Sequence, residues 1–156
     1  MSLEIIEAQP AHCAIILSLI KELAVYEKLE NDVVATEESL RYHLFDRKSA
    51  HCVIAFKENE VVGFALYFYN FSTFLSKQGL YLEDLFVKVA YRGKGYGKQL
   101  LLHLVETALK NNCGRMEWSV LNWNKEAICF YEQLGAKPMK EWTVYRLNEK
   151  DMKNLV

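Results

Sequence analysis

The sequence predicts one α/β (α+β) domain over residues 1–156, with a mixed, mostly antiparallel sheet flanked by helices. Three observations lead there. The chain has 156 residues, the size of one domain and enough to bury most of the apolar surface its unfolded form exposes. Hydrophobic residues make up 51% and charged residues 25%, a balance that belongs to folded globular chains and not to disordered or fibrous ones. Short runs rich in β-branched and aromatic residues are interleaved with longer helix-period runs, and no repeat, linker or low-complexity tract interrupts them.

Glu4 to Glu7 alternates as a first strand. Pro10 then sits where a first helical turn tolerates it, ahead of a periodic apolar run through Ile16, Leu19, Ile20 and Leu23. Thr36 followed by Glu37 and Glu38 is an N-cap with first-turn acids, opening a short helix that ends near Asp46. His51 to Phe56 and Val61 to Tyr69 form an antiparallel pair joined by the polar connection Lys57-Glu58-Asn59-Glu60. Leu80 to Val87 is another strand, carrying Glu83 and Asp84 inside an apolar and aromatic run. After a glycine-rich turn, Gln99 to Val105 opens a helix ending near Asn111-Asn112. Met116 to Leu121 returns as a strand, Asn124 to Leu134 is a helix closed by Gly135, and Trp142 to Leu147 is a last strand.

A formal net charge of -1 gives no basic footprint for nucleic acid. No stretch nears the ~20 apolar residues that span a bilayer, and Met1-Ser2-Leu3-Glu4 lacks the basic-then-apolar run of a signal peptide, so the expected location is the cytoplasm. Cys13, Cys52, Cys113 and Cys129 are too widely spaced for a metal knuckle and read as buried free thiols. His12, His43, His51 and His103 match neither a triad nor a metal spacing and read as structural or exposed; no metal is expected. Trp118, Trp123 and Trp142 read as structural.

The segment Arg92-Gly93-Lys94-Gly95-Tyr96-Gly97-Lys98 lies between a strand and a helix. That layout suits an anion, because a helix N-terminus presents unpaired N–H groups and glycines let the backbone come close to a phosphate. Spacing excludes two familiar phosphate loops. A Walker loop needs glycine where Arg92 stands and Ser or Thr where Gln99 stands, and a dinucleotide fingerprint needs glycine at Lys98. ATP and NAD are thereby set aside.

Arg92-Gly93-Lys94-Gly95-Tyr96-Gly97 matches the Arg/Gln-x-x-Gly-x-Gly/Ala signature of the GNAT superfamily of N-acetyltransferases, in the same strand-to-helix position. Tyr81 to Val87 before it, and Trp123-Asn124, Phe130-Tyr131 and Leu134-Gly135-Ala136 after it, resemble the diamine (spermidine/spermine) acetyltransferases and their thialysine-acetylating relatives. Glu22-Leu23-Ala24 with Tyr26-Glu27 is similar to that subgroup too, so the resemblance runs from the first helix to the last strand.

The resemblance implies a GNAT-type fold whose central strands part in a V, acetyl-CoA as cosubstrate, and transfer of its acetyl group to a primary amine of a small cationic molecule. It implies that backbone N–H groups from Gly93 to Lys98, Tyr96 among them, hold the pyrophosphate, with Arg92, Lys94 and Lys98 adding charge, and that the pantetheine arm pairs with the strand edge at Leu85, Phe86 and Val87. An alkylammonium with a reference pKa of ~10.4 must lose a proton before it attacks a thioester. Glu83 is placed to take that proton, directly or through water, or to anchor the ammonium, and an acid inside an apolar strand is expected to have a raised pKa. Strict alternation sends Asp84 to the opposite face, so it shares that task only if a bulge intervenes. Tyr131 matches the tyrosine that stabilises the leaving thiolate, and Asn124 both caps the helix carrying it and matches a cofactor contact. Tyr26 and Glu27 match positions near the amine channel, where a carboxylate favours a second positive group. The segment between Ala136 and Trp142 is shorter than in the polyamine enzymes and offers only Glu141 for their acidic turn, which leaves room for thialysine, lysine-like amines or a short diamine. The subgroup implies a homodimer, with Trp142 to Leu147 as an edge for pairing. Two other readings stay open: a protein lysine or N-terminal acetyltransferase, and a CoA-binding regulatory module without turnover.

Overall fold

Period-two alternation becomes one sheet in the computed structural model, which describes residues 3–156. The chain divides into two units, Met1–Ser119 and Val120–Val156. The first unit holds a five-stranded sheet in the order β1-β2-β3-β4-β5. Its strands are β1 (Glu4–Glu7), β2 (His51–Lys57), β3 (Glu60–Ser72), β4 (Lys77–Val87) and β5 (Met116–Glu117). The first four pair antiparallel, and β5 joins β4 in parallel. Helix α3 (Tyr96–Lys110) makes the crossover between β4 and β5 that a parallel pair requires. The β2–β3 connection is a two-residue turn in which Glu58 and Asn59 both take positive φ, 52° and 67°, the twist that suits a tight hairpin.

Helices bury their apolar stripes against the sheet. Cys52, Ile54, Phe64 and Phe86 form one cluster with Ile16 and Leu19 of α1 (Cys13–Glu27) and with Leu44. Ile20 and Leu23, the other members of the periodic stripe, pack against it. Leu44 comes from a wider helical turn, Tyr42–Asp46, that extends α2 (Glu37–Arg41) to the end point expected. Thr36 caps α2 as the sequence predicts, its Oγ1 accepting from the Ser39 N–H at 3.1 Å. The amphipathic helix α3 buries Leu100, Leu101, Leu104 and Ala108.

Two thiols depart from the sequence reading: Cys13 and Cys52 are buried, but Cys113 is half-buried and Cys129 exposed, all four being free. The predicted strand Met116 to Leu121 shortens to two residues.

The second unit contains α4 (Lys125–Gln133) and α5 (Glu149–Lys153). The last strand expected over Trp142 to Leu147 is not formed: residues 142–147 have no ladder partner among the described residues. β-propensity alone does not hold a strand whose backbone groups find no neighbour to pair with. Trp142, Val144 and Tyr145 are 77%, 80% and 92% exposed, so Trp142 is no core residue. Trp123 is also exposed.

Candidate functional site

Helix α3 starts inside the glycine-rich turn, three residues earlier than its apolar run suggested. Its N-cap is Gly95 at φ 79°, and Gly93 stands at φ 74°; both are left-handed conformations that a side chain resists. Nothing lies within 4 Å of a Cβ built on either residue, so the turn is open above its backbone. The first backbone bond into the helix runs from Gln99 N–H to the Gly95 carbonyl at 3.1 Å. None of the N–H groups of residues 93–98 has a backbone acceptor among the described residues. A run of donors at a helix N-terminus, with Lys94 and Lys98 exposed beside it, has the composition that an anionic diphosphate needs.

Strand β4 leads into this turn. On the β5 side only Leu80 and Tyr81 are paired, opposite Met116 and Glu117. From Leu82 to Val87 that edge has no strand partner among the described residues. On its other edge, Leu85, Phe86 and Val87 pair with Ala65, Phe64 and Gly63. The fit is close enough that a Cβ at Gly63 would stand 2.4 Å from the Phe86 carbonyl oxygen, so glycine is required there.

Between these stretches the ladder slips. Tyr67 faces Leu82 and Leu66 faces Asp84, leaving Glu83 as an inserted residue. Such a bulge breaks strict alternation. Asp84 therefore lies in register with Leu66 and Cys52 on the α1 face, while Glu83 is exposed. Burial, then the charges of Glu83 and Glu27, push the Asp84 carboxyl up to about 7. Burial also raises Glu27, the last residue of α1, where the negative helix terminus gives a carboxylate no support. Asp84 thus feels the charges of both Glu83 and Glu27, and the bulge that sets its face is one that sequence reading had no means of detecting.

Arg92 points inward. Its Nε–H donates to the Val87 carbonyl at 2.9 Å, and its guanidinium stacks 4.2 Å above the Tyr26 ring and 5.5 Å from Phe86. Tyr26 and Arg92, expected at the amine and the cofactor respectively, are in contact with each other. This joins the glycine-rich turn to the end of α1. Lys88 adds an ion pair to Glu22 at 3.6 Å. Burial, Asp84 and Cys13 push the Cys52 thiol up to about 12, which leaves it without nucleophilic thiolate at neutral pH.

In the second unit, Asn124 caps α4 as predicted, its side-chain oxygen accepting from the Ala127 N–H at 3.2 Å. Tyr131 is half-buried on α4, its ring 5.3 Å from that of Phe130. Gly135 closes the helix at φ 90°. His12 serves as a structural acceptor for the Gln9 N–H at 2.9 Å, and His51 stacks on Tyr67. No group of metal-ligating side chains occurs among the described residues, and no helix there is long and apolar enough to cross a membrane.

Known proteins share this sequence over most of its length. A thialysine N-epsilon-acetyltransferase from Bos taurus is 37% identical, covering 96% of this chain and 94% of its own. The L-ornithine N5-acetyltransferase NATA1 from Arabidopsis thaliana is 36% identical, covering 90% of this chain and 82% of its own. An integron cassette protein from the mobile metagenome of V. cholerae has the same fold, with a TM-score of 0.83 and 31% identity over 99% of this chain and 98% of its own. The Acetyltransferase (GNAT) family model matches residues 18–136, across both units and through the glycine-rich turn. With an open N–H turn following a half-unpaired strand and this match over most of its length, the chain belongs to the acetyltransferase (GNAT) family, whose members take acetyl-CoA as cosubstrate.

Proposed function

We propose that residues 1–156 act as one acetyltransferase domain that moves the acetyl group of acetyl-CoA directly onto a primary amine of a small cationic substrate of the thialysine, lysine-like or short-diamine class. The observation that carries this reading is the run of N–H groups over residues 93–98 without backbone acceptors among the described residues, in the same unit as the acids Glu27, Glu83 and Asp84. The first feature suits a diphosphate and the second an ammonium. Relatives named for acetylating thialysine and L-ornithine support that substrate class.

In this reading the N–H groups from Gly93 through Lys94, Gly95, Tyr96 and Gly97 to Lys98 hold the pyrophosphate. The β4 edge at Leu85, Phe86 and Val87 that faces away from β3, without a strand partner among the described residues, takes the pantetheine arm, and Asn124 adds a cofactor contact besides its cap. Arg92 acts by tying the turn to Val87 and Tyr26. Glu83 accepts the ammonium proton or anchors the cation, and Glu27 with Tyr26 receives the substrate's second polar end. Tyr131 donates a hydrogen bond to the departing thiolate. Complete proton transfer from a phenol at pKa ~10 to a thiolate at ~8.5 is uphill by roughly 2 kcal/mol, which favours hydrogen bonding over free acid catalysis.

We assign the chain to the cytoplasm, a reducing compartment that suits four free cysteines, with no nucleic-acid or membrane partner. We also assign it a homodimeric state, in which the exposed, β-prone segment Trp142 to Leu147 finds a strand to pair with.

Thiol release from acetyl-CoA, measured with thialysine, L-ornithine, lysine, spermidine, short diamines and a lysine-bearing peptide, tests the reading. A small amine is expected to give the highest kcat/KM. A peptide that outpaces every small amine would replace it with protein acetylation, and bound acetyl-CoA without release would replace it with a regulatory module.

A further inference from the structure

The bulge in β4 separates two jobs that one acid was expected to perform. Glu83, the inserted residue, is exposed to water. Asp84 lies on the apolar α1 face, one residue before the β4 edge at Leu85 to Val87, in a row with Leu66 and Cys52 and on the same face as Phe86. The groups around it can be named element by element. Strand β4 supplies Glu83, the end of α1 supplies Glu27, and β2 supplies the thiol of Cys52, protonated at neutral pH. Leu66 of β3 is apolar, and the turn after α2 contributes Leu44, its Tyr42 and His43 being exposed. The cations that follow β4 along the chain have partners of their own, Lys88 on Glu22 and Arg92 on Tyr26 and the Val87 carbonyl. The two charges that raise Asp84, those of Glu83 and Glu27, are both negative. A carboxylate so sheltered binds a proton more tightly than an exposed one, and an arriving ammonium supplies both the missing counter-charge and the proton.

We propose that Asp84 is the group that takes the proton from the substrate ammonium, while Glu83 holds the cation from the solvent side. The assignment rests on the amine-acetyltransferase reading and deepens it. An N–H bond of the ammonium breaks, its electron pair stays on nitrogen, and the proton joins a carboxylate oxygen of Asp84. The nitrogen lone pair then forms the C–N bond at the thioester carbonyl. The C–S bond breaks with its electrons on sulfur, and the second amine proton goes to that sulfur, giving amide and thiol. Asp84 returns its proton to water after product leaves. Its acidity near neutrality suits a group that must be ionised before each cycle and protonated within it.

The test is the pH profile of kcat/KM for thialysine with the full chain and acetyl-CoA, compared among wild type, D84N, D84E and E83Q. Wild type is expected to rise through a limb near neutrality. D84N is expected to lose that limb and about 100-fold or more in kcat. E83Q keeps the limb and shows its main loss as a raised amine KM, and D84E restores part of the rate with a displaced limb. Melting curves establish that D84N is folded. A folded D84N that keeps the wild-type limb, or an E83Q that abolishes it, would overturn the assignment in favour of Glu83. Wild type releasing no thiol with any amine of the panel would instead sink the functional reading, and this inference with it.

Discussion

Glu83 and Asp84 are adjacent acids on β4, and the slip in its pairing with β3 gives them different surroundings. The consequence for stability has a definite sign. Asp84 holds its proton to about 7 in the folded chain, against 3.8 as its ordinary value. Between those two pH values the folded state binds more protons than the unfolded one, so stability falls as pH rises. The favourable contribution is complete below the unfolded pKa and is lost as pH climbs through the folded one. D84N is therefore expected to melt above wild type at pH 8 and to converge with it near pH 4, in thermal unfolding followed by circular dichroism. A D84N protein that melts below wild type at pH 8 would show that the carboxylate is compensated. The same substitution is predicted to slow the reaction, the combination that marks a group kept for function at a cost in stability. Glu83 and Asp84 were both conspicuous in the sequence as acids in an apolar run. Which of them is buried was not legible, because the answer depends on a β3 partner that skips Glu83.

Among the elements, those closed by local chemistry were the most readable. Thr36 before two acids and Asn124 before α4 both act as the caps their residue types indicate. Removing the second cap by Asn124→Ala is expected to cost about 1 kcal/mol. In a chain of this size that lowers the melting temperature by about 2–4 °C. Such a shift together with a raised KM for acetyl-CoA would support the additional cofactor contact, whereas the shift alone would leave Asn124 as a cap. The glycine-rich turn makes a stronger prediction. Gly95→Ala places a side chain at φ 79°, costing about 1–2 kcal/mol of conformational strain. Because that strain falls where the N–H groups are aimed, KM for acetyl-CoA is expected to rise more than KM for the amine. Equal effects on both would mean that the turn does not hold the cofactor. The start of α3 at Tyr96 was missed because Gly97 and Lys98 break the apolar periodicity without breaking the helix.

On the scale of the molecule, a cosubstrate that binds the folded chain and not the unfolded one adds to stability by mass action. Acetyl-CoA at a hundred times its dissociation constant is expected to contribute about 2.7 kcal/mol. That corresponds to an upward shift of roughly 5–10 °C in a thermal scan. Absence of any shift at millimolar acetyl-CoA would count against the cosubstrate assignment. By itself the sequence determined the alternation of strands and helices, the caps, the anion-suited turn and the family, because each is written in contiguous residues whose propensities and spacing act locally. Tertiary structure alone decided the bulge that sets Asp84 apart from Glu83, the inward turn of Arg92 onto Tyr26, and the failure of Trp142 to Leu147 to form a strand. Each of these depends on a partner far away in the chain, and a pairing register, a stacking ring or a missing neighbour leaves no mark in the residues that respond to it.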